Sequence, residues 1–203
     1  RSLHAARNRV RMPPNAFRHP RDDLISNMPF TRHYHERVKL KDGRPALLRM
    51  VRPTDAPFLQ TAIALASPES LYQRFHTTKT HLSDQELKYL TEVDGTNHIC
   101  IVAIGTAGRD DWFGMGAARF VRLRERPDAA DFAIMVGDDY RRLGLGRILT
   151  DRTCLAAREH GIRVLGGEIL STNSAMFRLL DRLPYPVDWS VSGTVATFEI
   201  DLG

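Results

Sequence analysis

A glycine-containing turn between an apolar segment and a helical segment constrains the fold of this chain most strongly. Residues 132–136 form a short apolar run typical of a buried strand, and residues 148–156 carry apolar residues at helical spacing. The connection from Asp138 to Arg147 reads DDYRRLGLGR. It predicts a strand whose loop leads directly into a helix N-terminus, which is a building unit of α/β proteins.

This turn has the chemistry of an anion-binding site. The first N–H groups of a helix have no intrahelical partners, and the aligned peptide dipoles make that end electropositive. Gly144 and Gly146 lack β-carbons, so a diphosphate can closely approach the backbone amides of residues 142–147. Three arginines add positive charge beside these amides: Arg141, Arg142 and Arg147.

Other interpretations of the turn are weaker or remain open. A nucleotide-hydrolysing P-loop requires a Gly-Lys-Ser/Thr ending, which this turn lacks. A dinucleotide fingerprint requires its first glycine against the strand end and a third glycine where Leu149 stands, but residues 138–143 intervene here. From the turn alone, phosphate binding and a purely structural role of the glycines both stay open.

The rest of the chain predicts one mixed α/β domain after an irregular arm. Residues 1–36 are rich in Arg, His, Pro and Asn without an apolar period, so we place an arm there and the folded domain at residues 37–203. A basic arm can touch nucleic acid, but Phe17, Met28 and Phe30 are better interpreted as anchors that hold it on the domain. Strands are predicted near residues 38–40, 46–51, 98–104, 113–123, 132–136, 164–170, 187–191 and 194–202. Helices are predicted to begin near residues 54, 67, 83, 147 and 174.

Composition narrows the classes of partner. Hydrophobic residues make up 42% and charged residues 26% of the chain, as in globular proteins, and the formal charge of +5 favours anionic partners without choosing among them. Cys100 and Cys154 form no metal-ligand pattern, so we expect reduced thiols, a cytoplasmic location and no metal. No apolar run approaches the roughly 18 residues of a membrane span, and we expect neither insertion nor secretion.

The turn and the order of elements resemble a known superfamily. Arg141-x-x-Gly144-x-Gly146 after a strand is similar to the Arg/Gln-x-x-Gly-x-Gly/Ala motif of the GCN5-related N-acetyltransferases (GNAT). Further stretches resemble the acetyltransferase domain of bacterial Pat-type protein lysine acetyltransferases: residues 38–45, 51–55, 67–75, 82–84, 90–94 and 168–176. The resemblance covers about residues 38–202. It implies a mixed, mostly antiparallel sheet with a splayed strand pair and flanking helices.

The resemblance also implies acetyl-CoA as cofactor and assigns residues to it. The backbone of the strand before the turn would pair with the pantetheine arm: Ile134, Met135 and Val136. The turn itself would hold the pyrophosphate: Arg141, Arg142, Leu143, Gly144, Leu145, Gly146 and Arg147. Asn173 matches an asparagine that contacts the cofactor near its thiol end, and a role as N-cap of the next helix is equally open and compatible.

Acyl transfer to an amine needs a group that removes the amine's proton, because an ordinary lysine is almost wholly protonated at neutral pH. The resemblance implies a glutamate at the beginning of the strand before the turn, and this chain has Asp131 there. Asp131 is our candidate base although its side chain is one methylene shorter; a solvated strand-end carboxylate is the alternative. Glu168 on the neighbouring strand is the second candidate. Asp94 and His98 follow, with capping and packing as their expected roles.

Two further positions depart from the superfamily pattern. Leu180 stands where many members have a tyrosine that protonates the leaving thiolate, so the resemblance assigns no proton source here. Leu-Pro-Tyr-Pro at residues 183–186 replaces the usual Gly-Phe, which would reshape the acceptor side.

The sequence thus predicts an acetyl-CoA-dependent N-acetyltransferase that acts by direct attack on the thioester. The resemblance favours a protein lysine as acceptor, with acyl-CoA synthetases as acceptor proteins to test. A small-molecule amine acetyltransferase and a non-catalytic acyl-CoA-binding sensor are the alternatives. Nucleic-acid binding through the arm is the least favoured function.

Overall fold

A mixed sheet carries the fold in the computed structural model, which describes residues 10–11, 29–75, 80–106 and 111–203 of the chain. Its strands are β1 (Val10–Arg11), β2 (His35–Lys39), β3 (Pro45–Met50), β4 (His98–Thr106), β5 (Asp111–Arg122), β6 (Ala129–Val136), β7 (Val164–Leu170), β8 (Val187–Ser192) and β9 (Val195–Asp201). The sheet order is β2-β3-β4-β5-β6-β7-β9-β8, and β1 pairs with β5. Neighbours are antiparallel except β6 and β7, which are parallel. The predicted mixed, mostly antiparallel architecture is confirmed.

Five helices flank the sheet within the described ranges. They are α1 (Ala56–Leu65), α2 (Pro68–Phe75), α3 (Asp84–Thr91), α4 (Leu145–Glu159) and α5 (Ser174–Leu180). Ser83 and Glu86 form the predicted capping box at the start of α3, and Gly161, at φ +74°, follows α4 in the left-handed conformation that favours glycine. None of these helices has the length and apolar character needed to cross a membrane.

Two strands begin earlier than the side-chain pattern predicts. β2 begins at His35 rather than at Val38, and β6 begins at Ala129 rather than at Phe132. Ladder pairing uses backbone groups, so polar or small residues join a strand without extending its apolar pattern.

Phe30 and Tyr34, which the prediction placed in the arm, also pack in the core, with their ring centroids 4.6 Å apart. Phe30 is thus an anchor as predicted, whereas Phe17 and Met28 lie outside the described residues.

The parallel pair β6–β7 is splayed, as predicted. Its register covers Ala129↔Val164, Ala130↔Leu165 and Asp131↔Gly166 and then ends. Beyond that point β6 continues to Val136 paired with β5 alone in the described sheet. The sheet therefore opens into a fork at Asp131, with the rest of β6 on one side and the rest of β7 on the other.

The two faces of the sheet carry different helices. The crossover helix α4 buries five apolar side chains completely: Leu145, Leu149, Cys154, Ala156 and Ala157. Burial of a leucine side chain stabilises a fold by about 1.5–3 kcal/mol, so this stripe fixes the start of α4 against the sheet. On the other face, α1 to α3 form a smaller cluster around Ile63, Leu71 and Leu82, against which Met135 of β6 packs.

Candidate functional site

The fork presents a carboxylate and a length of open backbone together. The side chain of Asp131 is exposed and makes no hydrogen bond or ion pair with any described residue. After Asp131, the side of β6 that faces β7 has no ladder partner in the described sheet, including the predicted pantetheine-binding residues 134–136. An extended ligand can hydrogen-bond such an edge as an added strand would. The predicted base and the predicted pantetheine strand are therefore neighbours at the fork.

The glycine turn places the N-terminus of α4 after the far end of β6. Gly144 is the N-cap at φ +88°, and Arg142 also has a positive φ of 62°. The first backbone bond of the helix runs from the N–H of Ile148 to the carbonyl of Gly144, at 3.1 Å. The amides of residues 145–147 therefore lie in the first turn, where helix N–H groups have no intrahelical acceptor. This is the geometry that an anion requires.

The two glycines of the turn have different reasons to be glycine. The left-handed φ of Gly144 disfavours any residue with a β-carbon. Gly146 has no such φ, and a β-carbon added there would meet nothing closer than Leu179 and Val136 at 3.8 Å, which is ordinary contact. The purely structural interpretation thus explains Gly144 but not Gly146, where a β-carbon would make only ordinary contacts with the protein.

The three arginines of the turn are not equivalent. Arg147 forms an ion pair with Asp151 at 2.8 Å, one turn further along α4. Arg141 contacts the hydroxyl of Ser70 at 2.8 Å and the carboxylate of Asp138 at 3.1 Å. Arg142 is exposed and has no hydrogen-bond or ion-pair partner among the described residues. Of the predicted positive charges, Arg142 is the one left for an external anion.

Asp138 ties the turn to helix α2, a contact that sequence reasoning missed. Its carboxylate accepts hydrogen bonds from the hydroxyl of Ser70 at 2.7 Å and from the backbone N–H of Ser67 at 3.1 Å. Partial burial raises the pKa of Asp138, but these hydrogen bonds and the nearby Arg141 outweigh it and hold the pKa below its ordinary value. The serines stand about seventy positions earlier in the chain, so no local spacing signals the contact.

The remaining predicted residues lie around the same fork. Asn173 is the N-cap of α5, and its Oδ1 accepts the N–H of Met176 at 3.1 Å, so the capping role is confirmed. The Asn173 amide nitrogen has no partner in the described chain, which leaves it available to a ligand. Glu168 is exposed on β7, two residues beyond Gly166, the partner of Asp131. Because side chains alternate along a strand, Glu168 and Asp131 face the same side of the sheet.

The structure gives Asp94 and His98 the structural roles that we expected. Asp94 Oδ1 accepts the backbone N–H groups of Thr96, Asn97 and His98, each at 2.8 Å. The His98 ring is buried beside that of Tyr89, with centroids 5.1 Å apart, and burial lowers the pKa of His98. Leu180 is fully buried, in keeping with the absence of a proton donor at that position.

A cavity of about 480 Å³ lies between helices α1 and α3 and strands β4 to β6. Ala133 and Met135 of β6 line it, so it occupies the sheet face that Asp131 shares by alternation. A buried ion pair forms part of its wall, since Arg49 Nη2 lies 2.7 Å from Asp55 Oδ1. The cavity is large enough for a small substrate, and its lining reaches β6 at residues 133–136, next to the fork, but does not include Asp131 or β7.

One class of CoA-dependent acyltransferases has a mixed central sheet with two splayed strands for an extended ligand and a helix N-terminus for its phosphates. This chain has the same arrangement of strands and helix. The family model described as "Acetyltransferase (GNAT) domain" matches residues 46–184. The chain belongs to this GNAT acetyltransferase family, whose members use acetyl-CoA.

Similar proteins agree with this assignment. The acetyltransferase Pat of Mycolicibacterium smegmatis is 31% identical over 147 residues, which cover 72% of this chain and 43% of Pat. The chain therefore spans less than half the length of this relative. The crystal structure of the GNAT domain of S. lividans PAT superposes with a TM-score of 0.74 at 27% identity and covers 83% of this chain and 97% of that domain. The acetyltransferase yncA from Salmonella typhimurium, solved with acetyl-CoA, shares the fold at a TM-score of 0.58 and 17% identity, covering 78% of this chain and 94% of yncA.

Proposed function

We propose that this chain transfers the acetyl group of acetyl-CoA to an amine, and that its principal acceptor is the side chain of a protein lysine. The observation that carries this proposal is the position of Asp131, whose unpaired carboxylate stands where β6 and β7 separate. A base at that point meets an amine that approaches the fork from the cavity face. No other carboxylate among the described residues stands at the end of the β6–β7 register.

The cofactor residues predicted from the sequence fit the geometry of the fork and are part of the proposal. Acetyl-CoA supplies an activated acetyl thioester when it is bound. The open edge of residues 134–136 would bind its pantetheine arm, and the first-turn amides of α4 would hold its pyrophosphate with help from Arg142. The free amide nitrogen of Asn173 would contact it near the thioester. The space at Gly146 fits this arrangement, because a side chain there would obstruct the pyrophosphate.

Asp131 would take the proton that the acceptor's ammonium group must lose before it can attack. The nitrogen would then form a bond to the acyl carbon, and the carbon–sulfur bond would break. The second proton lost by the nitrogen would pass through solvent to the leaving thiolate, so that the products are an amide and free CoA thiol. Asp131 is shorter than the glutamate of the resembling family, so the proton would pass through one bridging water. Glu168 faces the same side of the sheet and would be the second proton acceptor in the fork.

The acceptor proposal rests on the similarity to Pat proteins. The GNAT domain of one of them superposes on most of this chain. An acyl-CoA synthetase is a suitable first acceptor protein, and we propose that the reaction takes place in the cytoplasm. One observation favours a second candidate, a small-molecule amine: the cavity beside β6 has room for a whole compact acceptor. A non-catalytic acyl-CoA sensor is the third candidate and would be indicated by binding without turnover.

The decisive experiment follows thiol release from acetyl-CoA with acyl-CoA synthetases and with small amines. We expect Asp131→Asn to lower kcat on the order of 100-fold, because the amide accepts no proton, and Asp131→Glu to keep most of the activity. Glu168→Gln is the matched control, since it removes the other carboxylate on this face and should cost much less. Equal kcat for wild type and Asp131→Asn across the pH range would contradict the proposed base. Tight acetyl-CoA binding without release for any acceptor would instead support a sensor.

A further inference from the structure

Two arginines line the cavity beside β6, and they differ in how their charge is balanced. Arg49 on β3 is paired in both directions, with Nη1 and Nη2 each 2.7 Å from a carboxylate oxygen of Asp55. Arg119 on β5 has no hydrogen bond or ion pair with any described residue, and its Nη1 is buried. A guanidinium nitrogen removed from water without a hydrogen-bond acceptor is unfavourable, because nothing replaces its hydration.

No carboxylate among the described residues forms an ion pair with Arg119. Its guanidinium carbon lies 5.4 Å from the centre of the Tyr89 ring, a cation–π contact that leaves the N–H groups unused. The nearby carboxylate of Asp94 is occupied by three backbone amides. Glu92, which follows α3, is 3.7 Å from Lys88. His98 adds a second buried atom without a partner, its Nε2, and burial together with Arg119 lowers the pKa of this ring.

The position of Arg119 relates it to the proposed chemistry. Arg119 pairs with Ala133 on β6, so Asp131 is its diagonal neighbour on the same face of the sheet. The rest of the cavity is mostly apolar, with Leu59, Ile63, Leu90 and Met115 among its lining residues. The cavity thus combines a mostly apolar lining with an arginine that forms no ion pair with a described residue, Asp131 on the same face included.

We propose that Arg119 is a binding site for a carboxylate, and that the cavity takes an apolar group that carries one. A carboxylate suits the planar guanidinium, which offers two parallel N–H donors to its two oxygens. This inference rests on the proposed acyl transfer, and it favours either a small acceptor with a carboxylate over a protein lysine or a dicarboxylic acyl group over acetyl. The carboxylate belongs either to the acceptor amine, as in an apolar amino acid, or to the acyl group, as in a dicarboxylic acyl-CoA.

Binding of simple probes tests the site without any turnover. Hexanoate and hexanamide have the same apolar chain and differ in charge, so we compare their affinities by calorimetry or NMR titration. We expect hexanoate to bind wild type at least about tenfold more tightly than hexanamide, and Arg119→Gln to remove that preference. Arg119→Lys should keep only part of this preference, because lysine retains the charge but lacks the two parallel N–H donors of the guanidinium. Arg124→Gln is the matched control, since it removes an exposed arginine two residues after the end of β5, outside the cavity lining.

Several outcomes would overturn the site. Equal affinities of the acid and the amide for wild type would do so even if every Arg119 variant failed to fold. Loss of hexanoate binding in Arg124→Gln would do so too, because the effect would then be one of net charge. Unchanged acetyl-CoA affinity in Arg119→Gln shows that the fold is intact and that the loss is local.

Turnover then distinguishes the two sources of the carboxylate. Phenylalanine is compared with 2-phenylethylamine as acceptor, and glutaryl-CoA with butyryl-CoA as donor. A preference for phenylalanine that is lost in Arg119→Gln places the carboxylate on the acceptor, and a preference for glutaryl-CoA places it on the acyl group. If hexanoate is preferred but neither these amines nor the acyl-CoA synthetases release thiol, the carboxylate site stands and the proposed acyl transfer fails. If turnover occurs and neither pair depends on Arg119, the substrate assignment is wrong.

Discussion

The two faces of the central sheet differ in how closely their side chains pack. On the α4 face the crossover helix buries five apolar side chains completely, from Leu145 in its first turn to Ala157. On the opposite face three short helices share a small cluster and leave a cavity of about 480 Å³. Phosphate binding needs fixed amides, whereas an acceptor must enter and leave. The contrast suits a rigid cofactor side and an adaptable acceptor side.

Substitution of Asp55 should have the largest effect, because its ion pair with Arg49 is buried in the cavity wall. We call this side of the sheet, opposite α4, the open face. Asp55→Asn leaves the buried Arg49 guanidinium without its counter-charge, and we expect a loss of about 3–5 kcal/mol in the free energy of unfolding. Urea denaturation with a constant m-value measures it. The control Glu92→Gln breaks the exposed ion pair with Lys88, which lies one helix turn away. It should lower the free energy of unfolding by less than about 0.5 kcal/mol. A small loss in Asp55→Asn would mean that water already reaches Arg49 from the cavity.

The two faces also differ in what the sequence predicts. The α4 face is readable because its signals are local: alternation in β6, the glycine turn and the helical stripe follow one another within residues 129–159. The open face depends on contacts between distant segments. Arg49 and Asp55 are polar residues that any pattern places at the surface, and the charge of Arg119 acquires meaning only once Tyr89, His98 and β6 surround it. Local periodicity finds elements, whereas the balance of buried charge appears only in three dimensions.

Gly146→Glu should have the next largest effect, and it acts on the α4 face. An acidic residue in the first turn of a helix interacts favourably with the helix dipole, so the variant should fold as well as wild type. The same carboxylate would repel the pyrophosphate and fill its space, and we expect acetyl-CoA affinity to fall on the order of 100-fold, about 2.7 kcal/mol.

Gly146→Ala is the size control, because its β-carbon has ordinary contacts in the protein. It should bind acetyl-CoA much more tightly than Gly146→Glu does. Unchanged affinity in Gly146→Glu, measured by calorimetry, would remove the anion site from the α4 N-terminus. The rigid face would then need another function.

Asp138→Asn tests the connection between the two faces and should have a smaller effect. The pKa of Asp138 is held below its ordinary 3.8, so the folded protein binds this proton more weakly than the unfolded chain. Its contribution to stability is therefore complete above about pH 4 and is lost as the pH falls through the lowered pKa. Because the carboxylate is partly exposed, we expect about 1 kcal/mol at pH 7.

The pH series supplies the control for Asp138. Unfolding free energies of wild type and Asp138→Asn should differ at pH 7 and converge below pH 4. A difference that is the same at both pH values would show that packing, rather than the charge, connects α2 to the glycine turn.

The two cysteines report on the faces without changing stability. Cys154 lies on α4 at 0% exposure, and burial, reinforced by Asp151 against the opposing effect of Arg147, raises the pKa of its thiol to about 12. At pH 8 roughly one such thiol in ten thousand is ionised, so alkylation should be very slow.

Cys100 lines the cavity and lies directly opposite Arg119 in the β4–β5 register. Peptide mass spectrometry should find Cys100 alkylated first, with both residues reacting equally after denaturation. Iodoacetate should be favoured over iodoacetamide at Cys100 in wild type more than in Arg119→Gln, since only the former reagent carries a carboxylate. Equal native rates at the two cysteines would show that the α4 face opens as readily as the cavity, and the proposed division between a rigid and an adaptable face would fail.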